Sequence, residues 1–202
     1  MSRYRGPRLR KCRRVDAELP GLTRKSYERR PYPPGQHGQK RRRRPSEFAH
    51  QLNEKQKLLF NYGLRERQLA RLVEEAKRSR KVTGERLLEL LESRLDNVVF
   101  RAGFAPTIPA ARQLVNHRHI TVDGDWVDIA SYRVSPGQII APRDRRKILA
   151  LVRENLASPS LPAPEWLTVD TQKPSATVVG EPRASSSPLD VDVQLVVEFY
   201  SR

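Results

Sequence analysis

Residues 93–143 read SRLDNVVFRAGFAPTIPAARQLVNHRHITVDGDWVDIASYRVSPGQIIAPR, and the succession of patterns in this stretch decides the fold. Leu95, Val98, Val99 and Ala102 recur at steps of one, three and four, the spacing of an inward helical face. Pro106 and Pro109 mark a turn and the start of another helix, with Ile108, Ala111, Leu114 and Val115 inward. After His119 the period changes. Ile120 and Val122 alternate on one arm, and Val127 and Ile129 on the other, around Asp123-Gly124. That pair is favoured in two-residue hairpin turns because glycine accepts positive φ. Ser135-Pro136-Gly137 supplies a further turn, and residues 138–141 suit another strand. The stretch predicts one compact unit of helix, turn, helix, hairpin and strand.

Helical signals also precede it. Ser46 is a good N-cap with Glu47 in the first turn, and Phe48, Leu52, Leu59 and Tyr62 fall near one face. Gly63 is a suitable C-cap. A second helix spans about 64–81 with Leu69, Leu72, Val73 and Ala76 inward. The run TGERLLELLESRLDNVVFRAG, from Thr83, has the strongest helical periodicity in the chain, with an interruption near Ser93 left open. Downstream, a helix is expected over 145–156 and a loop over the proline-rich residues 159–164. The end, VQLVVEFYSR, suits a strand by propensity and a helix by docking.

Charge divides the chain unevenly. The 202 residues carry a formal net charge of +16, yet only 37% are hydrophobic and 6% aromatic, so aliphatic side chains must dominate a lean core. Residues 1–45 hold 16 Lys/Arg against 3 Asp/Glu, and the other 157 hold 23 against 20. Such an excess repels itself unless a polyanion neutralises it, and RNA, DNA or an anionic membrane surface would serve. No run approaches the roughly 20 apolar residues that span a bilayer. No apolar stretch follows the basic start MSRYRGPRLRKCRR, which argues against a secretory signal; its unbroken run into the Tyr-Pro-Gly segment argues against a transit peptide and for a mature N-terminus. The single cysteine, Cys12, excludes an intramolecular disulfide framework and fits a reducing compartment.

The first 45 residues, with six prolines and few apolar side chains, read as an irregular arm that takes its order from a polyanion. Its end, RRPYPPGQHGQKRRRRP, suits either a flexible basic linker or a loop laid on phosphates with Tyr32 or His37 stacked on a base. Lys40 to Arg44 resemble a nuclear-import signal but fit a phosphate patch better. Basic neighbours of Cys12 are expected to lower its pKa, though nothing beside it suggests catalysis.

In ARQLVNHRHI, the inward placing of Ala111, Leu114 and Val115 sends Arg112, Asn116, His117 and Arg118 outward. Guanidinium, amide and imidazole planes suit phosphate and base-edge contacts, against the plainer reading of a solvated helix end. His117 and His119 lack a third nearby metal ligand. Arg94-Leu95-Asp96 shares three letters with a catalytic motif of pseudouridine synthases. Ser93 stands where their glycine precedes the arginine, however, and ion pairing or capping is the better role for Asp96.

RPYPPGQHGQ, NEKQKLLFNYGLRERQ, TGERLLELLESRLDNVVFRAGF, ARQLVNHRHITVDG, VDIASYRV and QLVVEFYSR occur in this order along the chain. Together they resemble the small-ribosomal-subunit protein four family, in its bacterial or plastid form, over essentially the whole length. The resemblance implies an α+β fold: a helical N-terminal domain, an inserted RNA-binding module with a small antiparallel sheet, and a C-terminal segment docked as a helix on the N-terminal helices. It implies a non-enzymatic protein that binds small-subunit ribosomal RNA early and nucleates assembly of the subunit body. It further implies contact with ribosomal protein five that affects decoding accuracy, a place near the messenger RNA entry path, and in some members repression of their own message. Many bacterial relatives hold zinc through two cysteine pairs in the arm. Here Leu9 and Cys12 stand where the first pair would be, and residues 21–30 contain no cysteine. The zinc site cannot be carried over, and no cofactor is expected.

The resulting expectation divides the chain into a basic arm (1–45), a helical domain (46–92, with 189–202 docked on it), an RNA-binding module (93–155), and a loop and sheet extension (156–188). Candidate RNA contacts in the arm are Arg3, Arg5, Arg8, Arg10, Lys11, Arg13, Arg14, Tyr32, His37, Lys40, Arg41, Arg42, Arg43 and Arg44. In the helical domain they are Lys55, Lys57, Arg65 and Arg67, and in the module Arg112, Asn116, His117, Arg118 and His119. The competing class is an RNA-modifying enzyme tethered by the same module.

Overall fold

The computed structural model describes residues 4, 6–40 and 45–201. Helix α1 (Arg8–Val15) opens behind Pro7 and ends at Asp16, which adopts a left-handed φ of 52°. This corrects the expectation of an irregular arm. Leu9, Cys12 and Val15 recur every three residues, so one stripe of a highly charged helix is apolar. Cys12, Val15, Leu19 and Leu22 are buried in the main core. This part of the arm takes its order from the protein rather than from a polyanion.

Ser46 caps α2 (Glu47–Asn61), its Oγ accepting from the Ala49 amide. The buried positions are Gln51, Lys55, Leu58 and Asn61, with Tyr62 at the helix end. Of the face named from the sequence, Tyr62 is buried as expected, while Leu52 and Leu59 are only half-buried and Phe48 is exposed. Phe48 stays about half exposed and meets the Phe199 ring at 5.6 Å. Gly63 follows with φ +60°, the conformation a helix end favours in glycine. Helix α3 (Glu66–Lys77) is shorter than 64–81 but buries Leu69, Leu72, Val73 and Ala76, as its periodicity predicts.

The long periodic run does break. Helix α4 (Thr83–Glu92) is capped at Ser93, and α5 (Leu95–Arg101) begins two residues after that cap. Between them Arg94 is extended and forms an isolated antiparallel bridge with Arg133, while the Leu95 amide donates to the Tyr132 carbonyl. Pairing with a distant loop outweighs helix continuity at that point. Thr107 caps α6 (Ile108–Asn116), which buries Ile108, Ala111, Leu114 and Val115 as expected.

Strands β1 (Ile120–Val122) and β2 (Asp125–Trp126) flank Asp123-Gly124, both with positive φ. The second hairpin arm is shorter than expected: Val127 is half-buried and Ile129 exposed. After β3 (Ile139–Pro142) come α7 (Arg146–Ala157), β4 (Leu167–Asp170) and β5 (Ser175–Val178). The strands form one antiparallel sheet in the order β2-β1-β3-β5-β4, so the 156–188 extension completes the module's sheet. The tail is α8 (Val193–Phe199), a helix packed along α2, which resolves the strand-or-helix ambiguity. The fold is α+β, built on one continuous aliphatic core.

Candidate nucleic-acid interface

The best-formed cationic surface lies where α6 meets the sheet. Helix α6 ends at His117, and Arg118 takes φ 59° before β1 starts. Strand pairing sets Ile120 opposite Pro142, and the Arg143 amide donates to the His119 carbonyl at 2.8 Å. The register thus lays the RDRRK segment from Arg143 to Lys147 beside the HRH segment from His117 to His119. Arg118 is half exposed; its Nε donates to Asp128 Oδ2 at 3.1 Å, and its guanidinium lies 4.2 Å from the centre of the exposed Trp126 ring. The His117 and His119 rings meet edge to face at 6.0 Å.

Burial lowers the His119 pKa, and the charges of Arg145, His117 and Arg143 lower it further. Part of that depression comes from the positive field of the cluster. Arg143, Arg145, Arg146 and Lys147 are exposed, as is His117, while Asn116 is half-buried. The four cations after β3 were not among the sequence candidates. Four cations in five positions after a strand were a usable signal, but only the β1–β3 register reveals their neighbours.

Several other candidates are committed within the protein. Arg112 was expected to face out and does not. Its Nη1 donates to the Gly63 carbonyl at 2.7 Å, its Nη2 to the Tyr62 carbonyl at 3.1 Å, and Nε and Nη2 to Asp96 Oδ2. A long side chain at the border of the buried arc can reach back across the interface, which spacing alone does not show. Lys55 is buried, 3.0 Å from Glu66 Oε1 and 4.0 Å from the Phe199 ring centre, so its ammonium is engaged within the protein. Lys57 pairs with Glu54 at 2.7 Å.

In the arm, Arg8 donates to the Leu22 carbonyl and to Thr107 Oγ1. Arg13 donates to the Tyr32 and Pro33 carbonyls and stacks on the Tyr32 ring at 4.7 Å. Tyr32 therefore packs on the protein's own cation. The Lys11 ammonium sits over the Tyr4 and Phe60 rings, and burial lowers its pKa. Arg10, Arg14, His37, Lys40, Arg65 and Arg67 are exposed. Arg3, Arg5, Arg41, Arg42, Arg43 and Arg44 lie outside the described residues. Burial raises rather than lowers the Cys12 pKa, because desolvation penalises the thiolate. Among the described residues no group of three or more metal-ligating side chains gathers.

Residues 3–92 match the model of the Ribosomal protein S4/S9 N-terminal domain, and residues 93–140 that of the S4 domain. The chain is 58% identical over 203 residues to the small ribosomal subunit protein uS4 of Synechococcus elongatus, covering 100% of this chain and 99% of the relative. It belongs to the uS4 family of ribosomal proteins. The uS4 protein of Methylobacillus flagellatus is 54% identical over 202 residues, covering 100% of this chain and 98% of its own. That of Nostoc punctiforme is 58% identical over 203 residues, with 100% and 99% covered. The uS4 family is structural and non-enzymatic, and the second match ends within β3, before the cations that start at Arg143. The interface assembled by α6 and β1 thus falls inside the S4 domain, and the RDRRK segment borders it.

Proposed function

We propose that this chain is a primary binder of small-subunit ribosomal RNA whose docking nucleates assembly of the subunit body. The observation that carries this reading is the exposed cluster of His117, Arg118, Arg143, Arg145 and Trp126 on one rigid edge of the module. Guanidinium groups there supply phosphate contacts, and the indole and imidazole faces supply stacking for unpaired bases. The arm adds Arg10, Arg14 and Lys40 as exposed cations. The uS4 resemblance supports contact with ribosomal protein five, a contribution to decoding accuracy, and proximity to incoming messenger RNA. The bacterial relatives favour a cytoplasmic ribosome, or a plastid one if the chain comes from an organelle.

The enzymatic alternative is opposed by Asp96. That carboxylate is 1% exposed, and its oxygens are taken by Arg94 and Arg112. A nucleophile must reach substrate, and this one holds the fold. Sedimentation of the tagged chain with purified small subunits, followed by binding to their naked RNA, is the direct test. Co-sedimentation that survives high salt is expected. Absence from the subunit, or an activity on unmodified ribosomal RNA, would overturn the proposal.

A further inference from the structure

The helical domain and the module meet along a boundary closed by polar groups from three separated parts of the chain. Arg112 on α6 spends its guanidinium on the Tyr62 and Gly63 carbonyls of the helical domain and on Asp96 of the module. Asp96 is in turn gripped by Arg94 at 3.0–3.1 Å, so the carboxylate ties α5 to Arg112 of α6, and the Arg112 guanidinium ties both to the end of α2. The arm supplies a second tie. The Gly21 amide donates to Asn61 Oδ1 at 2.8 Å, and the Ile108 amide donates to the Gly21 carbonyl at 2.7 Å. A Cβ on Gly21 would lie 2.6 Å from Ile108 Cδ1 and 2.9 Å from the Asn61 carbonyl oxygen, so no side chain fits there. One glycine peptide is therefore wedged between the last residue of α2 and the first of α6.

Both ties hold fixed geometry rather than charge. A planar guanidinium reaching three acceptors in different directions cannot be replaced by an ammonium, which is a point charge on a flexible stem. The cations they support lie on opposite sides of the boundary, in the arm and at the α6–sheet edge. We propose that Arg112 and the Gly21 peptide are positioning elements for RNA binding: they hold the two cationic surfaces at one separation and orientation without touching RNA. The inference rests on the ribosomal-RNA reading above. It makes recognition depend on the spacing of two phosphate tracks in a folded RNA, whereas non-specific binding depends on charge alone.

The test uses the full chain with Arg112→Lys, Arg112→Gln and Gly21→Ala, at a temperature where circular dichroism shows each folded. The probes are purified small-subunit ribosomal RNA and a short generic RNA duplex. Spin labels at Glu74→Cys and Asp125→Cys, in a Cys12→Ala background, report the distance between helical domain and module. Arg112→Lys and Arg112→Gln are expected to weaken ribosomal-RNA binding alike, by about tenfold, the cost of misaligned contacts rather than of a missing charge. The slope of log affinity against log salt and the affinity for the duplex should stay as in the parent chain. The label distances should broaden in all three variants. Rescue of binding by lysine, or a salt slope reduced by about one for glutamine, would make Arg112 a phosphate contact and overturn the proposal. Unchanged affinity and unchanged distances would overturn it as well. If the parent chain itself shows no preference for ribosomal RNA over duplex, the ribosomal reading falls, and the distance measurement still reports on the two ties separately.

Discussion

Helices α1 and α7 are both short and both rich in basic residues, and they use those residues in opposite ways. In α1, Arg8 and Arg13 donate to backbone carbonyls of the following loop, and the Lys11 ammonium lies over two aromatic rings. In α7 and the turn before it, Arg143, Arg145, Arg146, Lys147 and Arg153 are exposed and have no acid or side-chain acceptor among the described residues. The difference lies in the acceptors within reach. The arm runs through turns whose carbonyls lack helical or sheet partners, and arginine forks satisfy them. Strand β3 and α7 already pair their own backbone groups, so their cations remain free for an external polyanion. Net charge locates a polyanion binder, but acceptor geometry decides which charges bind.

The largest expected effect breaks this contrast at α1. Removing residues 1–24 takes Cys12, Val15, Leu19 and Leu22 out of the core. At about 1.5–3 kcal/mol for each of the three aliphatic side chains, the loss is about 4.5–9 kcal/mol, enough to unfold a marginal domain. Thermal melting should show no cooperative transition or one lowered by tens of degrees. A truncated chain that melts like the parent would show that the α1 packing contributes nothing. Deleting the whole arm would therefore test stability and RNA binding at once and separate neither.

A smaller effect is expected at the buried carboxylate. Arg94→Ala leaves Asp96, which is 1% exposed, with Arg112 as its only charged partner among the described residues. Breaking a buried pair typically costs about 3–5 kcal/mol, and the remaining arginine puts this case near about 3 kcal/mol. Denaturant titration measures it. A loss under about 0.5 kcal/mol, the range of an ordinary surface substitution, would show that Arg94 is dispensable to the pairing.

The α7 side of the comparison is tested by Arg143→Ala, Arg145→Ala, Arg146→Ala and Lys147→Ala together. Stability should hardly change, since all four side chains are exposed. If each neutralises one phosphate, the slope of log affinity against log salt should fall by about 3–4. The same measurement on Arg8→Ala with Arg13→Ala should leave the slope intact and lower the melting temperature. Reversal of these two results would invert the assignment of structural and binding cations.

The sequence carried much of this architecture but not its assignment of charges. The inward faces of α3 and α6 were legible because Leu69, Leu72, Val73 and Ala76, and likewise Ile108, Ala111, Leu114 and Val115, keep a helical spacing that burial enforces. The Asp123-Gly124 turn was legible because its backbone demands are local. Helix α1 was not, although Leu9, Cys12 and Val15 repeat at three, because five cations in the same eight residues mask the stripe. Nor was the role of Arg112, whose acceptors lie 16, 49 and 50 residues away in the chain. The pairing of the HRH segment with the RDRRK segment depends on strand register, a long-range fact that composition cannot supply.

The smallest effect expected is a pH dependence centred on His119. In the free chain its pKa lies below the ordinary histidine value, through burial first and then through Arg145, His117 and Arg143. The unfolded chain therefore takes up the proton more readily, so a little stability is lost as pH falls through the ordinary histidine range near 6.5, and is regained above it. RNA reverses the sign of the local field. Phosphates that neutralise Arg143 and Arg145 remove part of the depression, so the bound state holds the proton better than the free state. Binding should strengthen as pH falls from about 7.5 to 5.5, by less than about tenfold, which corresponds to one pH unit of differential pKa. His119→Gln should remove this component. The affinity of the parent and the variant for small-subunit ribosomal RNA, measured across that range at constant ionic strength, gives the comparison. Parallel curves would place the phosphates away from His119 and confine the RNA to the Arg118–Trp126 side of the cluster.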